Sequence, residues 1–144
     1  MNSIITEVKE LLPQKFPFAM VDALAYYDEE KVVTHFTIKE DNLFLEDGRM
    51  NESGLIENFA QSIALHTSYG FYIRDEIAPV GYIGNVTNLS ITDFPKLGEV
   101  LETRVKIIQE FMGITLVEGE ILLNNQVIFT SKMKTFIAAE TPAN

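Results

Sequence analysis

The chain has 144 residues, with no cysteine, no tryptophan and only two histidines, His35 and His66. Without cysteine it can form neither a disulfide nor a thiolate nucleophile, a composition that fits a reducing compartment. No apolar run approaches the ~20 residues that cross a bilayer, and residues 1–7 lack the basic and then apolar pattern of a secretory signal. We therefore expect a cytoplasmic protein without membrane insertion.

Positive charge is also scarce, since 11 Lys and Arg stand against 21 Asp and Glu and give a formal net charge of −10. Such a surface is a poor partner for nucleic acid or an anionic membrane. Arg104 and Lys106 alternate along one predicted strand, and Lys132 and Lys134 along another. These residues form either solvated strand faces or a local docking patch for an acidic protein.

The remaining composition, 47% hydrophobic residues, is enough for the core of one domain spanning residues 1–144. The sequence shows no Ser-His-Asp array, no glycine-rich phosphate loop and no metal-ligand cluster, so we expect neither a metal nor a cofactor. Residues 3–12 and 53–70 have helical spacing, whereas the predicted strands are residues 18–27, 31–38, 80–92, 99–109, 114–123 and 126–137. Residues 39–52 are polar and contain two glycine or asparagine turn signals, so we expect a loop there. Met112-Gly113 and Asn124-Asn125 are predicted turns, and Asn124-Asn125 suits a two-residue hairpin.

The helix over residues 53–70 has an apolar face that is wider than a surface helix needs, formed by Leu55, Ile56, Phe59, Ala60 and Ile63. We therefore expect it to be buried on most sides. A long buried helix followed by a four-stranded antiparallel meander, with an earlier hairpin, predicts an α+β roll in which the sheet wraps the helix. This is the pattern of a hotdog fold. Such a sheet leaves an open edge, and domains of this kind usually pair.

Two segments resemble a known family. Residues 11–18 read Leu-Leu-Pro-Gln-Lys-Phe-Pro-Phe, and residues 57–61 read Glu-Asn-Phe-Ala-Gln. Both resemble the active-site segments of the hotdog-fold 3-hydroxyacyl-thioester dehydratases, which dehydrate acyl chains on acyl carrier protein. Residues 94–101 and the glycines at 113 and 119 extend the similarity over nearly the whole chain. The resemblance implies a hotdog domain and a homodimer with the sheets joined edge to edge.

The resemblance also implies that Glu57 is the acid that protonates the departing 3-hydroxyl group. The residues alone leave two interpretations open, a functional carboxyl group or an ordinary glutamate on the helix surface beside apolar neighbours. Gln61 lies one turn further along the helix, where it can hold Glu57, bind a water molecule or simply pack.

Gln14 stands where the first family segment has a histidine, and the resemblance places the catalytic base at that position. Dehydration requires a group that removes a proton next to the thioester carbonyl, and imidazole suits this because its pKa is near neutrality. An amide cannot accept that proton. The neighbouring Phe16 and Phe18, together with Phe59 of the helix, are expected to contact the acyl chain.

The segment before the helix differs from the family. The family usually reads Gly-His-Phe-Pro-Gly-x-Pro-x-x-Pro-Gly there, whereas residues 45–54 are shorter, acidic and without proline. Gly54 keeps the place of the last glycine, whose N–H at the helix start polarises the thioester carbonyl in the family.

Three functions remain open from the sequence. The first is an atypical dehydratase of fatty-acid or polyene biosynthesis, acting on acyl chains carried by acyl carrier protein or coenzyme A, alone or with a partner. The second is a non-catalytic subunit that pairs with a catalytic hotdog protein in a heterodimer. The third is a hotdog thioesterase in which Glu57 activates water or attacks the thioester.

Overall fold

A computed structural model describes Val8, residues 10–79 and residues 81–137. The helix predicted over residues 3–12 lies mostly outside these residues; within them, Leu11 and Leu12 donate backbone hydrogen bonds to the carbonyl of Val8 at 2.9 and 3.1 Å. The elements in chain order are β1 (Ala23–Tyr27), β2 (Lys31–Thr37), β3 (Leu45–Glu46), β4 (Arg49–Met50), α1 (Glu52–Ile73), β5 (Gly81–Ile91), β6 (Val100–Phe111), β7 (Ile114–Leu123) and β8 (Gln126–Ile137).

Six strands form one antiparallel sheet in the order β1-β2-β6-β7-β8-β5, and β3 and β4 form a separate small hairpin. The predicted α+β hotdog architecture, a long helix wrapped by an antiparallel sheet, is confirmed. The predicted meander is correct for β6, β7 and β8, but β5 pairs with β8 at the far edge of the sheet. The segment that connects β5 to β6, residues 92–99, is longer than a tight hairpin turn, so the two strands can occupy distant positions in the sheet.

Short turns fix the register of the central strands. Met112 and Gly113 have φ values of 52° and 79°, and Asn124 and Asn125 have φ values of 52° and 63°. Two consecutive residues with positive φ form the type I′ turn whose twist matches that of antiparallel strands. The β6–β7 and β7–β8 connections are therefore hairpins with two-residue loops. The two-residue hairpin was predicted at Asn124-Asn125, whereas at Met112-Gly113 only a turn was predicted and β6 extends two residues further than expected, to Phe111.

Two regions differ from the prediction by more than three residues. The first strand begins at Ala23 instead of Phe18, because the backbone of residues 18–20 pairs with side chains of α1 and not with another strand. Residues 39–52 were expected to form a loop, but they contain the β3–β4 hairpin, whose turn residues Asp47 and Gly48 have φ values of 51° and 78°.

The core lies between α1 and the inner face of the sheet. Phe59 is fully buried at its centre, and its ring centroid lies 5.3 Å from that of Phe129. The other fully buried apolar side chains include Leu55 and Leu65 of α1 and Val117 of β7. No helix among the described residues is long and apolar enough to cross a membrane.

Gly119 makes the close approach of helix and sheet possible. A Cβ atom on this residue would overlap the ring of Phe59 and would lie 2.7 Å from the carbonyl oxygen of Arg104. We expect Gly119→Ala to lower the free energy of unfolding by about 1–3 kcal/mol, because the overpacked ring or strand must shift.

Urea denaturation measures this change, and Gly81→Ala is the matched control, since its Cβ atom would lie at an ordinary contact distance of 3.7 Å from the carbonyl oxygen of Phe136. Equal effects of the two substitutions would contradict the packing role of Gly119.

Candidate active site

Glu57 lies in the second turn of α1 and is half-buried. Its Oε1 atom accepts a hydrogen bond of 2.8 Å from Nε2 of Gln61, one turn along the helix. The other carboxyl oxygen, Oε2, has no hydrogen-bond partner within the described part of the chain. Glu57 is therefore held through one oxygen, while the second remains available to carry or accept a proton.

The orientation of Gln61 follows from its other contacts. Its Oε1 accepts the backbone N–H of Met20 at 2.6 Å, and its Nε2 also donates to the carbonyl of Phe18 at 2.9 Å. Because only the oxygen can accept that N–H, Nε2 must be the atom that faces Glu57. The expected contact between Gln61 and Glu57 is thus present, and it is fixed by the segment of residues 18–20.

Asn58 completes the attachment of this segment to α1. Its Nδ2 donates to the carbonyl of Met20 at 2.6 Å, and its Oδ1 accepts from Oγ1 of Thr103 at 2.5 Å. Both backbone polar groups of Met20 are therefore paired with amide side chains of one helix. Asn58 is not among the residues predicted from the sequence, although an asparagine within the buried face of a helix is itself a signal of a satisfied polar contact.

Gln14 and Glu57 line the same cavity within one chain. The cavity has a volume of about 790 Å³ and follows one side of α1 from Glu57 to Arg74, roughly 25 Å by helical rise. Oε1 of Gln14 is enclosed and has no hydrogen-bond partner among the residues that the structure describes. The opposite wall comes from the first residues of β5 and from the adjoining end of the sheet.

Both histidines are engaged elsewhere. Nε2 of His66 lies 2.9 Å from the carbonyl oxygen of Asp28, which can only accept, so this nitrogen donates. Its ring centroid lies 5.1 Å from that of Tyr27, and the residue follows Glu57 at roughly 14 Å along the helix. His66 lines the distant part of the cavity.

His35 lies on β2, where its Nε2 is 3.3 Å from Oε1 of Glu102. Burial opposes the ionisation of Glu102, but hydrogen bonds from Arg104 and His35 outweigh it and lower the pKa of this carboxyl group. Nη2 of Arg104 lies 2.6 Å from Oε2 of Glu102. This cluster belongs to the sheet and does not line the cavity of Glu57.

Tyr27 contributes a neutral hydroxyl group to the cavity wall. Its burial raises the pKa of the phenol above the ordinary value, and the nearby Arg74 opposes this effect only in part. The group therefore stays protonated at neutral pH.

Several residues that were expected to bind the substrate do not line the cavity. Phe16 and Phe18 are 74% and 60% exposed and do not line the cavity, while Phe59 is in the core. The N–H of Gly54 donates to Oδ1 of the N-cap residue Asn51 at 3.0 Å, so it stabilises the helix start and is not free for a thioester carbonyl. Phe59 points into the core because α1 packs it against Phe129 of the sheet, and Gly54 lies against Met50 and Phe44 of the segment before the helix.

We expect Gln61→Leu to lower the free energy of unfolding by about 2–4 kcal/mol, because the N–H of Met20 and the carbonyl of Phe18 would lose their partners in a buried place. Gln109→Leu is the matched control, since Gln109 is exposed on β6. Urea denaturation of both variants tests this expectation, and a small, equal effect would show that the amide is not needed to hold the segment.

Comparisons with known proteins identify the family and support the fold. A family model described as ApeP-like, ApeP dehydratase, matches residues 6–143. The chain is 25% identical over 138 residues to the 3-hydroxyacyl-[acyl-carrier-protein] dehydratase FabZ of Aliivibrio fischeri, and 90% of each chain is covered. The FabZ of Vibrio atlanticus is 26% identical over 142 residues, again with 90% of each covered.

Two solved structures show the same fold. The dehydratase heterocomplex ApeI:P from Xenorhabdus doucetiae superposes with a TM-score of 0.84 at 21% identity, covering 92% of this chain and 91% of that one. A hypothetical thioesterase with coenzyme A from Streptococcus pneumoniae superposes with a TM-score of 0.65 at 13% identity, covering 81% and 85%. Because the family model matches nearly the whole chain, the chain belongs to the ApeP-like dehydratase family, and it has a hotdog fold.

Proposed function

We propose that the chain is the acid-bearing subunit of a dehydratase that acts on 3-hydroxyacyl thioesters of acyl carrier protein or coenzyme A, in fatty-acid or polyene assembly, and that a second hotdog subunit supplies the base. The observation that carries this proposal is the cavity itself, which is lined by Glu57, by Gln14 and by the first residues of the edge strand β5. Membership of the dehydratase family supports the reaction class.

The reaction divides between an acid and a base. A base removes a proton from C2 of the acyl chain, the C2–C3 double bond forms, and the C3–O bond breaks as the 3-hydroxyl group takes a proton and leaves as water. Glu57 is suited to donate that proton, because Gln61 holds one carboxyl oxygen and leaves Oε2 free to carry a hydrogen.

The chain itself lacks a suitable base. Residue 14 is a glutamine, and residues 45–54, where the family usually has Gly-His-Phe-Pro-Gly, contain no histidine. His66 is held by the carbonyl of Asp28, and His35 is on the sheet beside Glu102. General-base catalysis contributes about 10²–10⁴-fold, so we infer that the chain alone is at best a weak dehydratase.

Strand β5 is the place where a partner would reach the cavity. It is an edge strand of 11 residues that are mostly exposed, with no charged residue and no proline. Such an edge is prone to pair with another strand unless a charge or proline protects it. Because Gly81, Tyr82 and Ile83 of β5 also line the cavity, a hotdog partner paired along this edge would adjoin the cavity that Glu57 lines.

The two possible assemblies through β5 differ in whether they contain a base. A homodimer through β5 would have two acids and no imidazole base, whereas a heterodimer with a histidine-bearing hotdog protein would complete the site. The solved relative ApeI:P is a dehydratase heterocomplex, which supports the second arrangement.

We expect the chain coexpressed with a histidine-bearing hotdog protein from the same gene neighbourhood to convert a 3-hydroxyacyl thioester to the enoyl product, and the chain alone to form little. In the complex, Glu57→Gln should lower the rate about 10²–10⁴-fold, because the amide cannot donate the acid proton. Enoyl absorbance measures the product.

Glu52→Gln is the matched control, since Glu52 is exposed in the first turn of α1. Release of free thiol from a saturated acyl thioester that depends on Glu57, without enoyl formation, would show a thioesterase and contradict the proposal. Full activity of the purified chain alone would contradict the need for a partner.

The edge-strand pairing has its own test. We expect Leu89→Lys to reduce assembly, because it places a charge on the exposed β5 edge. Light scattering after size exclusion measures the mass of the assembly, and Leu43→Lys on a loop is the control with similar exposure. An unchanged mass for both variants would place the interface elsewhere.

A further inference from the structure

Five buried polar side chains lie within the apolar interface between α1 and the sheet. They are Asn58, Gln61 and Ser62 of α1, Thr34 of β2 and Thr103 of β6, and each is at most 1% exposed. Every one of them has a hydrogen-bond partner. Apolar residues would fill the same space without the cost of desolvating polar groups, so this composition points to a role beyond filling the core.

Four of the hydrogen bonds join end to end and lead to Glu57. Oγ1 of Thr103 lies 2.5 Å from Oδ1 of Asn58, and Nδ2 of Asn58 donates to the carbonyl of Met20 at 2.6 Å. The N–H of Met20 donates to Oε1 of Gln61 at 2.6 Å, and Nε2 of Gln61 donates to Oε1 of Glu57 at 2.8 Å. This Thr103–Glu57 series crosses from β6 through α1 and the backbone of Met20 to the carboxyl group.

The backbone of Met20 fixes the direction of every donor in the series. A carbonyl oxygen can only accept and an N–H can only donate, so Nδ2 of Asn58 must face the carbonyl and Oε1 of Gln61 must face the N–H. Oδ1 of Asn58 then faces Thr103, whose hydroxyl group is the donor. All four hydrogens therefore point along the series toward Glu57, and hydrogen bonds aligned in this way polarise and strengthen one another.

This direction decides which oxygen of Glu57 can carry a proton. Oε1 faces the amide nitrogen of Gln61, which donates and cannot accept. The second hydrogen of that nitrogen is also engaged, since Nε2 donates to the carbonyl of Phe18 at 2.9 Å. A proton on the carboxyl group therefore belongs on Oε2, and the bond from Gln61 holds the group in one orientation.

We propose that Thr103 is a positioning residue, which orients the carboxyl group of Glu57 through this series of four hydrogen bonds. The inference rests on the proposed function, in which Glu57 is the acid, and it adds a residue of the sheet to the machinery. Thr103 is fully buried and is not among the residues that line the cavity. An effect of its hydroxyl group on the acid must therefore pass through the core.

Thr34 provides a matched control within the same core. It is the register partner of Thr103 on β2 and is equally buried. Its hydroxyl group pairs with that of Ser62 at 2.8 Å, and Ser62 donates to the backbone carbonyl of Asn58. This branch ends on the helix backbone and does not reach the carboxyl group of Glu57. Removal of either threonine hydroxyl should loosen the core, whereas only removal of the Thr103 hydroxyl should disturb the acid.

The first test follows hydrogen exchange of the Gln61 side-chain amide by NMR on the full, isotope-labelled chain. Both hydrogens of this amide are bonded, whereas the exposed amides of Gln109 and Gln126 give the unprotected rate in the same spectrum. Thr103→Val keeps the shape of the side chain and removes the donor, so we expect at least about tenfold faster exchange at Gln61. Thr103→Ser should restore protection, and Thr34→Val should change it less than about twofold.

The second test measures dehydration by the complex with a histidine-bearing hotdog protein. A misplaced acid loses an interaction made in the transition state, so Thr103→Val should lower kcat about tenfold and change KM less than about twofold. Thr103→Ser should recover most of the rate, and Thr34→Val should stay close to the unmodified complex. Circular dichroism checks folding, and Thr103→Ala replaces the valine variant if that variant does not fold.

Equal effects of Thr103→Val and Thr34→Val on the Gln61 amide would overturn the proposal, because general loosening of the core would then explain both. Unchanged exchange in Thr103→Val would overturn it as well, and so would an amide response with an unchanged kcat in an active complex. Full activity of the Glu57→Gln complex would instead contradict the proposed function, while the exchange data would still report on the orientation of the carboxyl group.

Discussion

The arrangement of this domain depends on two amide side chains with which α1 holds the backbone of Met20. Asn58 binds the carbonyl and Gln61 binds the N–H, so a segment that belongs to no strand is fixed against the helix. A buried amide that lost its partner would cost roughly 1–3 kcal/mol, which makes the pairing strongly favoured over any shift of the segment. The same Gln61 amide orients Glu57, and stability and site geometry therefore rest on one set of hydrogen bonds.

The sheet adds the second constraint. With β5 at its edge, the cavity has one wall made by a strand whose outer hydrogen-bonding side is unpaired among the described residues. In the proposed function, this edge is where a second subunit would add the base, because His66, which lines the cavity, is held by the carbonyl of Asp28.

Much of the fold followed from local patterns. The apolar face of residues 53–70 indicated the buried helix, the Asn124-Asn125 and Met112-Gly113 pairs indicated the hairpins, and helical spacing placed Gln61 one turn from Glu57. Each of these features depends on residues a few positions apart, so the sequence carries them directly. The family resemblance, tested by the match over residues 6–143, supplied the reaction class that periodicity cannot.

The sequence by itself determined the α+β class, the central helix, the hairpins and the lack of a histidine at either place where the family resemblance has one. Only the tertiary structure decided that β5 crosses to the far edge, that Phe59 belongs to the core while Phe16 is exposed, and that the N–H of Gly54 caps the helix. These features join residues far apart in the chain. Their outcome depends on which backbone groups and side chains compete for the same buried space, and no local pattern records that competition.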